Sequence, residues 1–415
     1  MQFGIFYEHQ LPKPWSDDDE FCLLRDALDQ VELADRLGFD YAWEVEHHFL
    51  DEYSHSSAPE VFLAAAAART SRIRLGHGIR QVIPKYNHPA RTAEGLATLD
   101  LISDGRVDFG IGEGATRLEL HGFDIPAKQK RAMALEAAEQ IANMMVLDPY
   151  PGYESDTFSM PCRNVLPKPR QKPHPPMWMA CTNRDTIKVA ARHGIGALAF
   201  SFVDPDEARS WVDVYYDIIK SDECVPLGHT INANIALVTG FSLHEDRAEA
   251  IRRGQEGFEF FGYALNALVA HDQVPGRTDL WGEFQARRSP DSVERKIAAA
   301  DEQGESFASC IGTPADATRY LRQMRDVGVD QVIFIQQAGR NAHADICSSL
   351  ELFASDVMPE FAADEAERQA RKAAELAPFV EAALARKTWM QPLDDADIPV
   401  VRASVAKAQT AGTLA

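Results

Sequence analysis

The sequence predicts an α/β protein: a (β/α)8 TIM barrel with insertions and a helical C-terminal extension, the alternative being a doubly wound open sheet. Two observations predict it. Eight short apolar or β-branched runs alternate with segments of helical periodicity, the pattern of parallel βα units. The chain has 415 residues, 45% of them hydrophobic and 25% charged, which is enough to bury one large core.

Taken in order, Gly4-Ile5-Phe6 reads as the first strand. From Phe21 to Leu37 the positions Leu24, Ala27, Leu28, Val31 and Ala34 recur at helical spacing, and Gly38 supplies the stop. Tyr41-Ala42-Trp43 is the second strand, followed by a helix from Pro59 to Thr70 and a third strand, Ile73 to Gly76. A helix from Pro89 to Ile102, a fourth strand from Val107 to Gly110 and a helix from Lys128 to Met145 continue the pattern. Between Pro149 and Pro176 lie eight of the 23 prolines, which forbids a long helix and predicts an extended insertion. Alternation resumes with strands at Met177 to Ala180 and Ala197 to Phe200 and helices at Thr186 to His193 and Asp206 to Lys220. A seventh strand, Ile231 to Gly240, and a long helix, Glu245 to His271, precede a polar stretch from Gln273 to Ser306 that reads as an irregular second insertion. Thr313 caps a helix from Pro314 to Val327, and Gln331 to Ile335 is the eighth strand. After Phe361 the composition shifts: 16 of the last 54 residues are alanine, and Pro378 separates two short helical patterns, Glu365 to Leu376 and Val380 to Lys387. The expected division is a barrel over 1–361 and a helical tail over 362–415, packed on the barrel or on a partner subunit.

A formal charge of −21, from 63 acidic and 42 basic side chains, argues against nucleic-acid and anionic-membrane partners, which need a basic footprint. The start lacks a basic and apolar leader, and the longest apolar run, Val61 to Ala68, is far shorter than a bilayer span of about 20 residues. The expected location is the cytoplasm. The six cysteines show no C-x-x-C spacing, which argues against a zinc site or a disulfide framework.

In such a barrel the chemistry collects at the C-terminal ends of the strands. Glu8 and His9 follow the first strand, and Glu46-His47-His48 the second. Adjacent histidines on a strand end point in opposite directions, so no metal is expected there. One histidine as a general acid or base, or a structural hydrogen bonder, are the readings left. Gly110-Ile111-Gly112-Glu113-Gly114 lacks the spacing of a dinucleotide or P-loop motif, so a weak phosphate loop and a turn that needs small residues stand side by side. Thr182-Asn183-Arg184-Asp185-Thr186 follows the fifth strand and opens a helix. Hydroxyls, an amide, an arginine and free N–H groups there suit a phosphate dianion, while plain N-capping by Thr182 or Asn183 reads equally well.

The opening Met1 to Phe6, Glu46-His47-His48-Phe49, His88-Pro89-Ala90-Arg91-Thr92-Ala93-Glu94, Ser103-Asp104-Gly105-Arg106-Val107-Asp108-Phe109-Gly110, Gly312-Thr313-Pro314 and Leu352 to Pro359 together resemble the bacterial luciferase-like flavin-dependent monooxygenases. The likeness runs colinearly from Met1 to about Phe361. It implies a barrel of that type, usually dimeric, that takes reduced FMN from a flavin reductase or by way of NAD(P)H. It also implies O2 activation as a flavin C4a-hydroperoxide, with a small organic substrate oxygenated by hydroxylation or Baeyer–Villiger chemistry. His47 matches the family's catalytic histidine, with Glu46 beside it as a second catalytic candidate. Gly78 and Ile79 match a strained, often cis, peptide under the flavin, and Thr182, Asn183, Arg184 and Thr186 the phosphate loop. Gly112 and Glu113 stand where luciferase has a cysteine near the flavin and a phosphate-binding arginine, so light emission is not implied. Glu8 and His9 have no luciferase match and are expected to face the mouth and touch substrate. A lid is expected around Gln273 to Ser306, with Trp281 and Phe284 laid over the site or packed on the rim. An F420-dependent dehydrogenase on the same barrel and a non-catalytic flavin-binding subunit are the alternatives.

Overall fold

Eight parallel strands close into a ring in the computed structural model, which describes residues 1–402 other than 201, 290 and 304–308. They are β1 (Gln2–Tyr7), β2 (Tyr41–Glu44), β3 (Arg74–Gln81), β4 (Val107–Gly112), β5 (Met177–Cys181), β6 (Gly196–Ala199), β7 (Ile235–Thr239) and β8 (Gln331–Ile335). Each strand is hydrogen-bonded to its neighbours in sequence order, and β1 pairs with β8, Phe6 opposite Ile335, to complete the barrel. That last seam excludes the open sheet.

The helices between the strands start and stop for local reasons. Pro89 opens helix Pro89–Ile102 at a position where no N–H is needed, and the His88 side chain accepts from Ala90 N. Asn183 and Thr313 form capping boxes at the starts of helices Arg184–Arg192 and Pro314–Asp326. These helices bury one face against the outside of the strands, where Phe3, Leu75, Val107 and Val332 sit in one continuous core. The strands' other faces fill the barrel interior with Phe6, Trp43, Trp178, Leu198, Val238 and Ile333. Trp43 and Trp178 meet edge to face at 5.3 Å, and Trp178 Nε1 donates to Asp108 Oδ1 at 2.9 Å, so the buried indole N–H is satisfied.

Four parts of the chain differ from the sequence expectation. The proline-rich insertion contains an antiparallel hairpin, Tyr150–Glu154 with Ser159–Arg163. The stretch expected to be irregular between Gln273 and Ser306 holds helices Leu280–Arg287 and Ser292–Gln303, the first capped by Asp279 accepting from Gly282 N. Residues 290 and 304–306 of that stretch lie outside the described residues. The expected seventh strand is divided: β7 ends at Thr239, and Phe241–Leu243 pairs with Cys310–Gly312 outside the barrel. The tail forms one helix, Glu365–Arg386, with Pro378 inside it. Proline removes one helical hydrogen bond, and burial of Leu376 and Ala383 keeps the flanking turns in line.

That tail helix lies across the N-terminal end of the barrel. Lys372 Nζ donates to Asp330 Oδ1 at 2.7 Å just before β8 and to Asn234 just before β7, and the chain's amino terminus pairs with Glu365. Beyond it, Lys387 Nζ reaches Glu139 and the carbonyls of Pro226 and Leu227. The tail therefore ties the face opposite the strand ends at which chemistry is expected. Among the described residues, no helix is long and apolar enough to cross a membrane.

Candidate active site

The C-terminal ends of β1 to β5 open on a cavity of about 350 Å3, within the roughly 300–1,000 Å3 usual for small-molecule sites. Its walls are apolar: Ile79, Ile111, Met179, Phe200 and Leu265. Polar groups gather on two sides, one at the β1–β2 ends and one at the β4–β5 ends.

On the first side stands His47. Its Nδ1–H donates to Glu119 Oε1 at 2.9 Å, and its Nε2 lies 3.6 Å from Glu8 Oε2. Glu119 belongs to the short helix Arg117–Gly122, where it forms a capping box with Thr116 and also accepts from His48 N. Tyr53 donates to Glu8 Oε1 at 3.0 Å. All four side chains of this chain of contacts, His47, Glu119, Glu8 and Tyr53, are buried. Burial by itself would discharge His47, but Glu119 and Glu8 outweigh it and raise the imidazole to about 9. Burial raises Glu8 to about 7, with the His47 charge and the Tyr53 hydrogen bond opposing the rise. Burial would also raise Glu119, yet the His47 charge and the hydrogen bonds from His47 and Thr116 hold it below the usual carboxylate range. The result is an imidazolium oriented by an ionised carboxylate and facing, across the cavity wall, a carboxyl that changes protonation near neutral pH.

On the second side, Glu113 accepts two hydrogen bonds from Arg131, both at 3.0 Å, with Lys130 Nζ at 3.6 Å. Lys130 and Arg131 open helix Lys130–Val146 and line the cavity together with Glu113, Thr182, Asn183 and Thr186. Asn183 is the N-cap anticipated for the following helix, its Oδ1 accepting from the amides of Asp185 and Thr186. The glycine-rich stretch is explained by packing. The register slips between His77 and Arg80, and a Cβ on Gly110 would fall 2.1 Å from the His77 carbonyl oxygen, while one on Gly112 would fall 2.4 Å from Ile79 Cγ2. These glycines let β4 lie against a bulge in β3, so the run is a strand beside a bulge and not a phosphate loop.

The structure brings together Glu8, His47, Ile79, Gly112, Glu113, Thr182, Asn183 and Thr186 as cavity-lining residues. Four other expectations are corrected. Glu46 lies off the cavity: its carboxylate accepts from Gln81 N and Asn87 and pairs with Arg80 at 3.1 Å, which makes it an anchor for the β3 bulge. His9 is buried between Glu44, at 2.9 Å, and Gln337, at 3.0 Å, and does not reach the mouth. Arg184 is exposed and outside the lining, because Asn183 ends the loop and starts the helix before the arginine. Gly78 sits in the bulge, and its peptide with Ile79 is not cis; the cis bonds among the described residues all precede proline. The lid residues also differ: Trp281 and Phe284 pack on Phe260 of helix Arg247–Ala270, at 5.0 and 5.6 Å, and do not line the cavity.

Glu119, Tyr53, Lys130 and Arg131 went unnoticed in the sequence. Thr116-x-x-Glu119 is a readable capping box, although nothing local says that its glutamate meets a histidine 72 positions earlier. Lys130 and Arg131 carried a subtler signal: two cations in a first helical turn oppose the helix dipole, a cost that an anion nearby would remove.

Two buried acceptors on cavity-lining residues, Glu8 Oε2 and Gln81 Oε1, find no hydrogen-bond donor among the described residues. With the apolar walls and the flanking cations, they suit a flat ligand that has N–H donors on one edge and an anionic arm.

Comparison with known proteins agrees with this geometry. The model of the luciferase-like monooxygenase family matches residues 1–331. Limonene 1,2-monooxygenase of Rhodococcus erythropolis is 28% identical over 88% of this chain and 87% of its own. The solved structure of monooxygenase RslO1 from Streptomyces bottropensis is 27% identical, covers 87% of this chain and all (100%) of its own, and superposes with a TM-score of 0.69. Two more distant structures share the fold alone. The oxygenating constituent of 3,6-diketocamphane monooxygenase from Pseudomonas putida, in complex with FMN, is 18% identical with a TM-score of 0.65 over 86% of this chain and 98% of its own. An F420-dependent secondary alcohol dehydrogenase is 15% identical with a TM-score of 0.63 over 86% of this chain and 98% of its own. A closed eight-stranded parallel barrel and a family match across four-fifths of the sequence lead to one conclusion: this chain belongs to the luciferase-like monooxygenases.

Proposed function

We propose that this enzyme binds reduced FMN in the 350 Å3 cavity and, with O2, inserts one oxygen atom into a small organic substrate by hydroxylation or Baeyer–Villiger chemistry. The observation that carries this reading is the buried His47–Glu119–Glu8 cluster on the wall of an apolar slot whose other polar side holds Lys130 and Arg131. FMN supplies the electrons that activate O2 when bound, and the protein supplies the rest. Ile79, Ile111, Met179 and Phe200 would give apolar contact to the FMN ring, and Glu8 Oε2 and Gln81 Oε1 would be free to accept from its N–H groups. Lys130, Arg131, Thr182 and Thr186 would hold its anionic arm. His47, charged near neutral pH and fixed at Nδ1 by Glu119, holds a proton at Nε2 toward the cavity, and Glu8 receives or releases one beside it. The walls exclude water, which favours oxygen transfer over its loss as peroxide.

In this reading the enzyme acts in the cytoplasm as a homodimer and receives reduced flavin from a separate reductase or by way of NAD(P)H. The test is oxygen incorporation. The full chain is mixed with reduced FMN, 18O2 and a panel of small ketones, olefins and phenols, and products are read by mass spectrometry. One 18O per product molecule supports the proposal. Hydride transfer with reduced F420, and no labelled product with FMN, would replace it with the dehydrogenase that shares this fold. FMN binding without turnover of either kind would favour a non-catalytic flavin-binding subunit.

A further inference from the structure

We infer that Glu113 is an internal counter-ion that occupies the cationic seat of the cavity and sets the protein's preference between phosphorylated and unphosphorylated flavins. The inference rests on the flavin reading above. Arg131 presents its Nε and Nη2 to the two Glu113 oxygens at 3.0 Å each, the fork-to-fork geometry in which guanidinium also grips phosphate. Lys130 is engaged too, by the Gly114 carbonyl and, at 3.6 Å, by Glu113. The amides of Asp185 and Thr186 at the start of the neighbouring helix are committed as well, to Asn183 Oδ1.

A phosphate entering this side therefore competes with a carboxylate for the same donors, and it meets a local charge of two cations less one anion. The competitor is held in place. Glu113 follows Gly112 at the end of β4, where the backbone lies so close to β3 that a Cβ on Gly112 would fall 2.4 Å from Ile79 Cγ2, so Glu113 has little freedom to withdraw by moving its main chain. A neutral hydroxyl meets the opposite situation: it donates to Glu113 and leaves the Arg131 pair intact. The site as built thus favours a phosphoryl arm only weakly over a hydroxyl-ended chain, and the carboxylate is the residue responsible.

The experiment is a pair of equilibrium titrations, FMN and riboflavin, read by flavin fluorescence on the full-length wild type, Glu113→Gln and Glu113→Ala. The expected result is FMN binding tightened tenfold or more in both variants, with riboflavin affinity equal to wild type or weaker. Riboflavin binding also reports that each variant is folded. FMN affinity that is unchanged or weaker in both variants overturns the inference, since Glu113 would then be orienting Arg131 for phosphate and not opposing it. Wild type that binds neither flavin overturns the flavin reading and this inference together, whereas flavin binding indifferent to Glu113 overturns the inference alone.

Discussion

Replacing Glu119 with glutamine isolates the electrostatics of the site without changing its shape. The wild-type imidazole of His47 is raised from 6.5 to about 9, which at about 1.4 kcal/mol per tenfold change is roughly 3 kcal/mol in favour of the charged form. Two unit charges near 4 Å at an effective dielectric of about 20 attract by about 4 kcal/mol, so a contact at 2.9 Å between His47 and Glu119 is large enough to supply the whole preference. In Glu119→Gln burial is opposed only by the charges of Glu8 and, more weakly, Glu46, and His47 is expected to titrate well below its wild-type value. Histidine NMR on the flavin-free protein, with His47→Gln to identify the resonance, reads this directly. Stability gives a second check. A histidine whose folded value lies above its unfolded one stabilises fully below about 6.5, and that stabilisation is lost as pH rises through about 9. Glu8, raised to about 7, loses its own contribution at lower pH, so between pH 7.5 and 9.5 the wild type should lose roughly 2 kcal/mol in urea unfolding and the variant much less. A His47 that still titrates near 9 in Glu119→Gln would refute the reasoning.

Three further substitutions separate the parts of the site. His47→Ala should lower turnover about 10²-fold or more, the usual scale for a general acid or base, with FMN affinity in fluorescence titration close to wild type; unchanged turnover removes His47 from the chemistry. Arg184→Ala should leave FMN affinity within about twofold, because the arginine lies outside the cavity lining, and a tenfold loss would restore it to the site. Gly110→Ala forces a Cβ to within 2.1 Å of the His77 carbonyl oxygen, so the free energy of unfolding in urea should fall by at least the ~1–3 kcal/mol of ordinary overpacking; wild-type stability would mean that the β3 bulge is not rigid.

Much of this protein is legible in its sequence because it depends on neighbours along the chain. The strand–helix alternation, the stop at Gly38, the proline-opened helix Pro89–Ile102 and the Asn183 and Thr313 caps are local hydrogen-bonding and packing decisions, and they locate the barrel to within a few residues. Position after a strand was enough to place Glu8, His47 and the β5 loop near the barrel mouth, where they line the cavity. It misled for Glu46 and His9, because the same strand ends also carry the side chains that brace the barrel, and only the partners decide which is which. Arg80 and Asn87 claim Glu46, and Glu44 and Gln337 claim His9. The proton-holding power of His47 was equally out of reach, since a lone histidine titrates near 6.5 and its rise to about 9 comes from Glu119, 72 residues away, and from Glu8, in a place from which water is excluded. The sequence by itself determined which segments become strands and helices and that their ends would carry polar chemistry. Closure of the barrel decided which of those groups share a cavity and with what charge, because electrostatic coupling depends on distance through space and on burial, and neither is set by separation along the chain.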